Sequence, residues 1–222
     1  YLVNLKAKDP KRVTTDYLVI GAGIAGLTAA LELAEAGEVT VLAKEKFDES
    51  NTKYAQGGIA AAWAKGDNPK LHFEDTMNAG AGLCNQQAVQ VLVSNAKNLI
   101  KKLIAWGVNF DTKNGDLALT KEGAHSKKRI LHARGDATGR EISSALVAQL
   151  RNNSQIKGQD NSFALDLLTS NNSCQGAYVY DHNQEEYIIY QAKAVILATG
   201  GSGNLYATTS NPEVATGDGL AI

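Results

Sequence analysis

The stretch from Asp16 to Gly37, DYLVIGAGIAGLTAALELAEAG, constrains this chain more than any other. A short apolar strand runs straight into a G-x-G-x-x-G turn and then an amphipathic helix. Gly21 permits the tight turn, Gly23 admits a pyrophosphate close to the backbone, and Gly26 lets the helix pack on the strand. With Ala22, Ile24 and Ala25 between them, these glycines open a helix whose first amides and positive dipole end suit two phosphates. Three spaced glycines alone are a weak signal. Here a strand precedes them, a helix follows, and a second strand (Val39 to Ala43) completes the unit, so the pattern predicts a dinucleotide site. The bland alternative is a glycine-rich turn with no ligand.

Strand, helix and strand from Asp16 to Lys44 predict an α/β fold, Rossmann-like, with a parallel, doubly wound sheet. Residues 1–15 are mostly polar or basic and include Pro10, so they read as a loosely held N-terminal arm ahead of one domain over 16–222. Leu71 to Ala81 and Asn85 to Trp106 read as helices. In the second, Val89, Leu92, Val93, Ala96, Leu99, Ile100, Leu103 and Ile104 recur at helical spacing as a core stripe, and Gly107 ends it. Thr138 and Glu141 have the spacing of a capping box ahead of a helix to about Leu150. From Ser162 onward FALDLLTS, GAYVYD and EEYIIYQ alternate as three antiparallel strands, with DHNQ as a hairpin turn. A separate apolar strand, Ala194 to Ala198, then ends in Thr199, Gly200 and Gly201. A parallel sheet plus a three-stranded antiparallel β-meander is the layout of two-dinucleotide-type flavoproteins, not of a plain nicotinamide dehydrogenase.

Bulk properties exclude some classes. A net charge of −1 gives no electrostatic case for nucleic acid or an anionic membrane. No apolar run approaches the roughly 18 residues of a membrane span, and there is no apolar signal-peptide core. Cys84 and Cys174 form no CxxC pair, which suits a reducing cytoplasm. His72, His125, His132 and His182 never fall into metal-ligand spacing, so no metal is expected.

Three segments taken together resemble the fumarate reductase, succinate dehydrogenase and L-aspartate oxidase group of flavoproteins. They are GAGIAGLTAALELAEAG, SNTKYAQGGIAAA and AVILATGGSGNLYATTSNPEVATGDGLAI, and the resemblance covers essentially everything after the arm. It implies an FAD-binding domain with FAD along the switch point of the sheet and its pyrophosphate over Gly21 to Gly26. It also implies that Lys44 stands near the adenosine half, with Glu45 as an alternative ribose partner. Asn51, Thr52, Lys53, Tyr54, Ala55, Gln56, Gly57 and Gly58 would pass under the ribityl chain and isoalloxazine. Ala164 would touch the adenine through its backbone, and Asp218 would take a ribityl hydroxyl unless it is only a turn residue between glycines. Membrane-linked members carry, at the position of Asn51, a histidine joined covalently to the flavin. Asparagine has no ring nitrogen for that bond, so the resemblance implies non-covalent FAD.

A further segment, LTKEGAHSKKRILHARGDATGRE, resembles the L-aspartate oxidase branch; the dicarboxylate reductases carry an apolar residue where this chain has Glu122. L-Aspartate differs from succinate by one ammonium group, and a carboxylate can accept a charge-assisted hydrogen bond from it. The bland reading is that Glu122 is a solvated side chain beside Lys121. His125, Ser126 and Arg140 lie in the same motif without a separate chemical role. The resemblance implies oxidation of L-aspartate to iminoaspartate, with dioxygen or fumarate reoxidising the flavin and the product feeding quinolinate and NAD. A quinolinate-forming enzyme is the partner this implies. In such proteins a capping domain supplies the catalytic arginine, and no residue here matches it. The 222 residues are therefore expected to be the first portion of a longer protein, with little or no turnover by themselves. Other readings remain: a succinate or fumarate enzyme of the same group, a non-catalytic nucleotide-binding module, or an NAD-dependent dehydrogenase, which the YAQGG and ATGG segments disfavour.

Overall fold

The computed structural model describes residues 10–222. In chain order the elements are β1 (Lys11–Ile20), α1 (Ile24–Leu33), β2 (Val39–Leu42), β3 (Ile59–Ala60), α2 (Pro69–Ala79), α3 (Gln86–Ala105), β4 (Thr112–Lys113), β5 (Asp116–Leu117), β6 (Leu119–Thr120), β7 (Ile130–Leu131), α4 (Thr138–Asn152), β8 (Ile156–Gln159), β9 (Ser162–Ser170), β10 (Ser173–Asp181), β11 (Glu186–Leu197) and α5 (Asp218–Ala221). They divide into two units. One joins the chain up to Tyr54 with Leu146–Ile222; the other is Ala55–Ala145.

The first unit is built on a six-stranded sheet in the order β8-β2-β1-β11-β10-β9. Neighbours from β8 to β11 are parallel, and β11-β10-β9 form the antiparallel meander. Two expectations need correcting. Residues 1–9 of the expected arm lie outside the described residues, but Lys11 to Thr15 are strand, in register with Ile188 to Ala192 of β11. Their β-branched Val13, Thr14 and Thr15 suit an extended backbone, and the signal was missed because charge interrupts it. The third meander strand and the apolar AVILA strand are likewise one 12-residue strand, β11. One edge of its first half pairs antiparallel with β10, while the other edge runs parallel to β1 from Ile188 to Leu197. A strand has two hydrogen-bonding edges, so both readings of that segment are satisfied at once.

The core of this unit gathers Leu18, Ile20 and Leu42 with Ala164, Ala177, Val179, Ile188 and Tyr190. Full burial of a side chain such as Leu18 contributes about 1.5–3 kcal/mol. The turn expected at DHNQ forms, with Asp181 Oδ1 accepting from the amides of Asn183 (2.8 Å) and Gln184 (3.2 Å).

In the second unit, α2 and α3 are capped alike. Asn68 Oδ1 accepts from the Leu71 amide and Asn85 Oδ1 from the Ala88 amide, each at 3.0 Å. Along α3, Val89, Val93, Ala96, Ile100 and Leu103 are buried. Leu92, Leu99 and Ile104, expected in the same stripe, are 60%, 44% and 41% exposed. Each sits one residue, about 100° of rotation, from a buried position, so the buried face is narrower than the apolar pattern. Gly107 ends the helix with φ +94°, as expected. The capping box does not form: Thr138 lies inside α4, its hydroxyl accepts from the Ala133 amide (3.1 Å), and Glu141 instead binds Asn109 and Arg134. A short antiparallel sheet, β3-β7-β6, completes this unit beside the β4-β5 hairpin. Among the described residues no helix is long and apolar enough to cross a membrane.

Candidate functional site

The C-terminal ends of β1 and β11 lie side by side where the chain order reverses: β2 and β8 are on one side of β1, and β11 is on the other. In open α/β sheets this switch point is where ligands bind. A cleft of about 340 Å³ opens there, lined by the turn after β1, the end of β2, Glu49 to Thr52, the start of β9, the Ala198–Gly201 turn and the segment from Val214.

The three glycines do different work. Gly21 has φ +116°, a conformation that favours glycine, and a Cβ there would overlap the Ala198 carbonyl. Its amide donates to the Leu42 carbonyl (2.9 Å), so the bend is pinned between the ends of β2 and β11. At Gly26 a Cβ would overlap the Gly21 carbonyl, so this glycine serves helix-on-strand packing. Gly23 is different. Its φ of −74° is open to any residue, and a Cβ would meet only Thr52 Oγ1 at 3.5 Å and Ser50 Cβ at 3.9 Å, both ordinary contacts. No protein atom demands glycine there. The position leaves room on the cleft wall that a pyrophosphate fits.

Gly23, Ile24 and Ala25 line the cleft at the start of α1, where helix geometry gives the first amides no intrahelical acceptor. The Ile24 amide donates to Thr52 Oγ1 (3.0 Å), so Thr52 is tied to the helix start. Asn51 Nδ2 donates to Asn211 Oδ1 (3.2 Å). Lys44 Nζ donates to the Val214 carbonyl (2.9 Å), Thr216 Oγ1 (2.7 Å) and Asp218 Oδ2 (2.7 Å), while the Thr216 hydroxyl donates to Asp218 Oδ1 (2.7 Å). Lys44 and Asp218 are thus one ion-paired unit in the cleft wall. Ala22 and Ala164 also line the cleft.

Lys53 and Tyr54 do not line that cleft. Lys53 turns to Asp48 (3.1 Å) and Glu49 (3.2 Å), and Tyr54 donates to Glu49 Oε1 (2.6 Å) beside a separate depression that includes Glu45 and Glu213. Ala55, Gln56, Gly57 and Gly58 belong to the second unit. The Ala55 carbonyl there accepts from the Gly139 amide (3.0 Å), and a Cβ on Gly58 would overlap Ile130 and the Leu131 carbonyl.

Glu122 also lies in the second unit, half exposed, with Oε1 3.5 Å from His132 Nε2. The loop that carries it is anchored by a cluster that the sequence did not announce. Arg129 is fully buried. Its Nε and Nη2 donate to Asp67 (3.0 and 2.8 Å) and its Nη1 to Asp75 (2.7 Å). Asp75 also accepts from the Ser126 amide (2.7 Å) and hydroxyl (2.8 Å). That amide is the largest cause holding the Asp75 carboxyl down at about 2, followed by the Ser126 hydroxyl and Arg129. His125 lies 3.4 Å from Arg129 Nη1, giving two motif residues a structural role. Nearby His72 is buried, its Nδ1 without a partner among the described residues, and burial pushes its pKa down.

Thr199 to Gly201, Ala215 and Asn211 are cleft or cleft-side residues that the sequence reading left out of the site. The ATGG signal for the first three was present, read as a strand end rather than as a wall. Asp67 and Asp75 carried no comparable signal.

A family profile described as FAD binding domain matches residues 16–222. The chain is 45% identical over 216 residues to an L-aspartate oxidase of Streptomyces coelicolor, covering 95% of this chain and 37% of that protein. It is 44% identical to an L-aspartate oxidase of Yersinia pestis (94% of this chain, 41% of the relative) and to a chloroplastic one of Arabidopsis thaliana (93% and 32%). The chain therefore spans about a third to two fifths of these relatives. Among solved structures, a quinol fumarate reductase of E. coli superposes with a TM-score of 0.90 at 29% identity, covering 95% of this chain and 36% of that one. Sdh1 of Mycobacterium smegmatis gives 0.89 at 32% identity, covering 95% and 38%.

Proposed function

The chain belongs to the FAD binding domain family, and on that premise we propose that it is the flavin-binding portion of an L-aspartate oxidase. FAD is the cofactor. The whole protein would oxidise L-aspartate to iminoaspartate, with dioxygen or fumarate as acceptor, at the start of the route through quinolinate to NAD. Bound FAD supplies the acceptor for the hydride that leaves the substrate.

The chain's own residues divide the remaining tasks. The Gly21 to Gly26 bend offers amides and a helix dipole to the pyrophosphate. Lys44 and Asp218, held together by their ion pair, face the nucleotide as one unit. Ala164 offers backbone to the adenine. Asn51 leaves the flavin uncoupled covalently and, with Thr52, stands along its ribityl portion. Glu122 receives the substrate ammonium and so separates an amino dicarboxylate from a plain one. A quinolinate-forming enzyme as partner and a cytoplasmic location, the latter supported by two unpaired cysteines, complete the reading.

The observation that carries the choice of substrate is Glu122, presented half exposed on a loop whose base is locked by buried Arg129. In the whole protein, Glu122→Leu should lower kcat/KM for L-aspartate by about 10- to 150-fold, the value of one charge-assisted hydrogen bond. Fumarate reduction should change little. Equal losses for both substrates, or none for aspartate, would overturn the assignment. The fumarate reductase reading is favoured by the structural neighbours' names, and covalent flavin recovered with acid-precipitated protein would revive it.

A further inference from the structure

The small sheet β3-β7-β6 does more than close the second unit. Its register sets Leu131 opposite both Ile59 and Leu119, and Ile130 opposite both Ala60 and Thr120. Gly58 therefore enters β3 at the end where His132 leaves β7, while the chain leaves β6 after Thr120, toward Glu122, at the other end. These segments touch through one side chain. His132 Nε2 is 2.9 Å from Thr120 Oγ1 and 3.5 Å from Glu122 Oε1. The Gly58 α-carbon faces the same ring, for a Cβ built there would stand 3.0 Å from His132 Cε1. The His132 backbone is fixed as well, its carbonyl accepting from the Asp111 amide at 2.8 Å.

We propose that His132 is a positioning residue for the recognition of the substrate's ammonium group, acting through Glu122. This rests on the reading of Glu122 given above. Glu122 is a flexible, half-exposed side chain that can adopt several rotamers, and fixing one of them before substrate arrives removes an ordering cost from binding. A single Nε2–H on His132, shared between Thr120 Oγ1 at 2.9 Å and Glu122 Oε1 at 3.5 Å, draws one carboxylate oxygen toward the ring and leaves the second free for the ammonium. Thr120 supplies the neighbouring polar contact that fixes the ring, and the absent side chain at Gly58 leaves the ring its place. Specificity for the amino dicarboxylate then depends on a pair, of which only Glu122 meets the substrate.

A double-mutant cycle in the whole holoprotein tests this. His132→Ala should raise KM for L-aspartate about 5- to 30-fold, the effect of losing one orienting bond. It should leave kcat nearly unchanged and leave inhibition by succinate, which has no ammonium, unaltered. His132→Gln retains a donor and should restore most of the loss. In a Glu122→Leu background, His132→Ala should add nothing further. If His132→Ala costs the same with and without Glu122, or weakens succinate and aspartate alike, the ring is ordinary packing and the proposal fails. Should His132→Ala fail to fold, His132→Phe, which fills the space without a donor, should show the same KM rise; a wild-type KM there overturns the proposal. The outcomes separate the two levels of argument. A Glu122→Leu variant with normal aspartate kinetics refutes the substrate reading itself, whereas a sensitive Glu122 beside a silent His132 refutes only this inference.

Discussion

Gly21 and Gly23 are two residues apart in one bend, yet replacing each by alanine should have opposite consequences. At Gly21 the new side chain would be held at φ +116° and would collide with the Ala198 carbonyl. Backbone strain of this kind costs about 1–3 kcal/mol. Relief of the overlap by shifting β11 from β1 adds a comparable amount, for a total of about 2–5 kcal/mol. For a chain of this size, roughly 2–4 °C per kcal/mol puts the melting temperature about 4–20 °C lower. At Gly23 the Cβ meets only ordinary contacts at 3.5 and 3.9 Å, with φ already at −74°. Alanine there loses about 0.5–1.5 kcal/mol as a helix N-cap and regains about 0.4–1 kcal/mol from the stiffer unfolded chain, so stability should stay within about 1 kcal/mol of the wild type. Its methyl group would instead occupy the pyrophosphate's place. FAD affinity should fall at least about tenfold, or roughly 1.4 kcal/mol. Thermal melts followed by circular dichroism and flavin-fluorescence titrations of both variants measure these quantities. A Gly23→Ala chain that binds FAD like the wild type, or a Gly21→Ala chain that melts with it, would refute the division of roles.

Removing Arg129 should damage the second unit more than any surface charge does. Arg129→Met leaves Asp67 and Asp75 facing each other without a cation and should cost about 3–5 kcal/mol, read as a lower denaturant midpoint. The same cluster predicts acid sensitivity. Asp75 sits at about 2 in the folded chain against roughly 3.9 when unfolded, so its contribution is complete above the unfolded value and disappears as pH falls from about 4 through 2. Neutral, buried His72 adds an earlier decline below about pH 6.5, because there the unfolded chain takes up a proton that the folded one resists. Melts between pH 7 and 2.5 should show both losses, and stability that stays flat across that range would contradict them. Lys44→Met should free Val214 to Asp218, seen as faster amide exchange there, and weaken FAD about fivefold, equivalent to about 1 kcal/mol for a partly exposed pair.

What could be read from the chain beforehand follows from how local each signal is. The Gly21 to Gly26 bend was legible because its geometry is dictated by neighbours within six residues: Gly21 makes the tight turn and Gly26 the helix packing expected of them. The meander was legible from alternation, but its junction with the parallel sheet was not. Periodicity cannot show that Glu186 to Leu197 uses both edges of one strand, nor that Lys11 to Thr15 finds a partner 177 positions away in register. Helix α3 shows the converse limit: apolar spacing marked Leu92 and Leu99, yet only the facing elements decide where burial stops. The run from Asn51 to Gly58 reads as one continuous loop, while the fold divides it at Tyr54 between two units. Asp67, Asp75 and Arg129 stayed hidden because charges in an ordinary turn, helix and lysine-rich loop give no sign that they will be buried together.

The most direct test is a crystal structure of this chain grown with FAD. The account predicts the pyrophosphate against Gly23 and the first amides of α1, the adenosine half beside Lys44 and Ala164, and no bond from the flavin to Asn51. Density for the dinucleotide away from the Gly21 to Gly26 bend, or a bend left empty at saturating FAD, would contradict it.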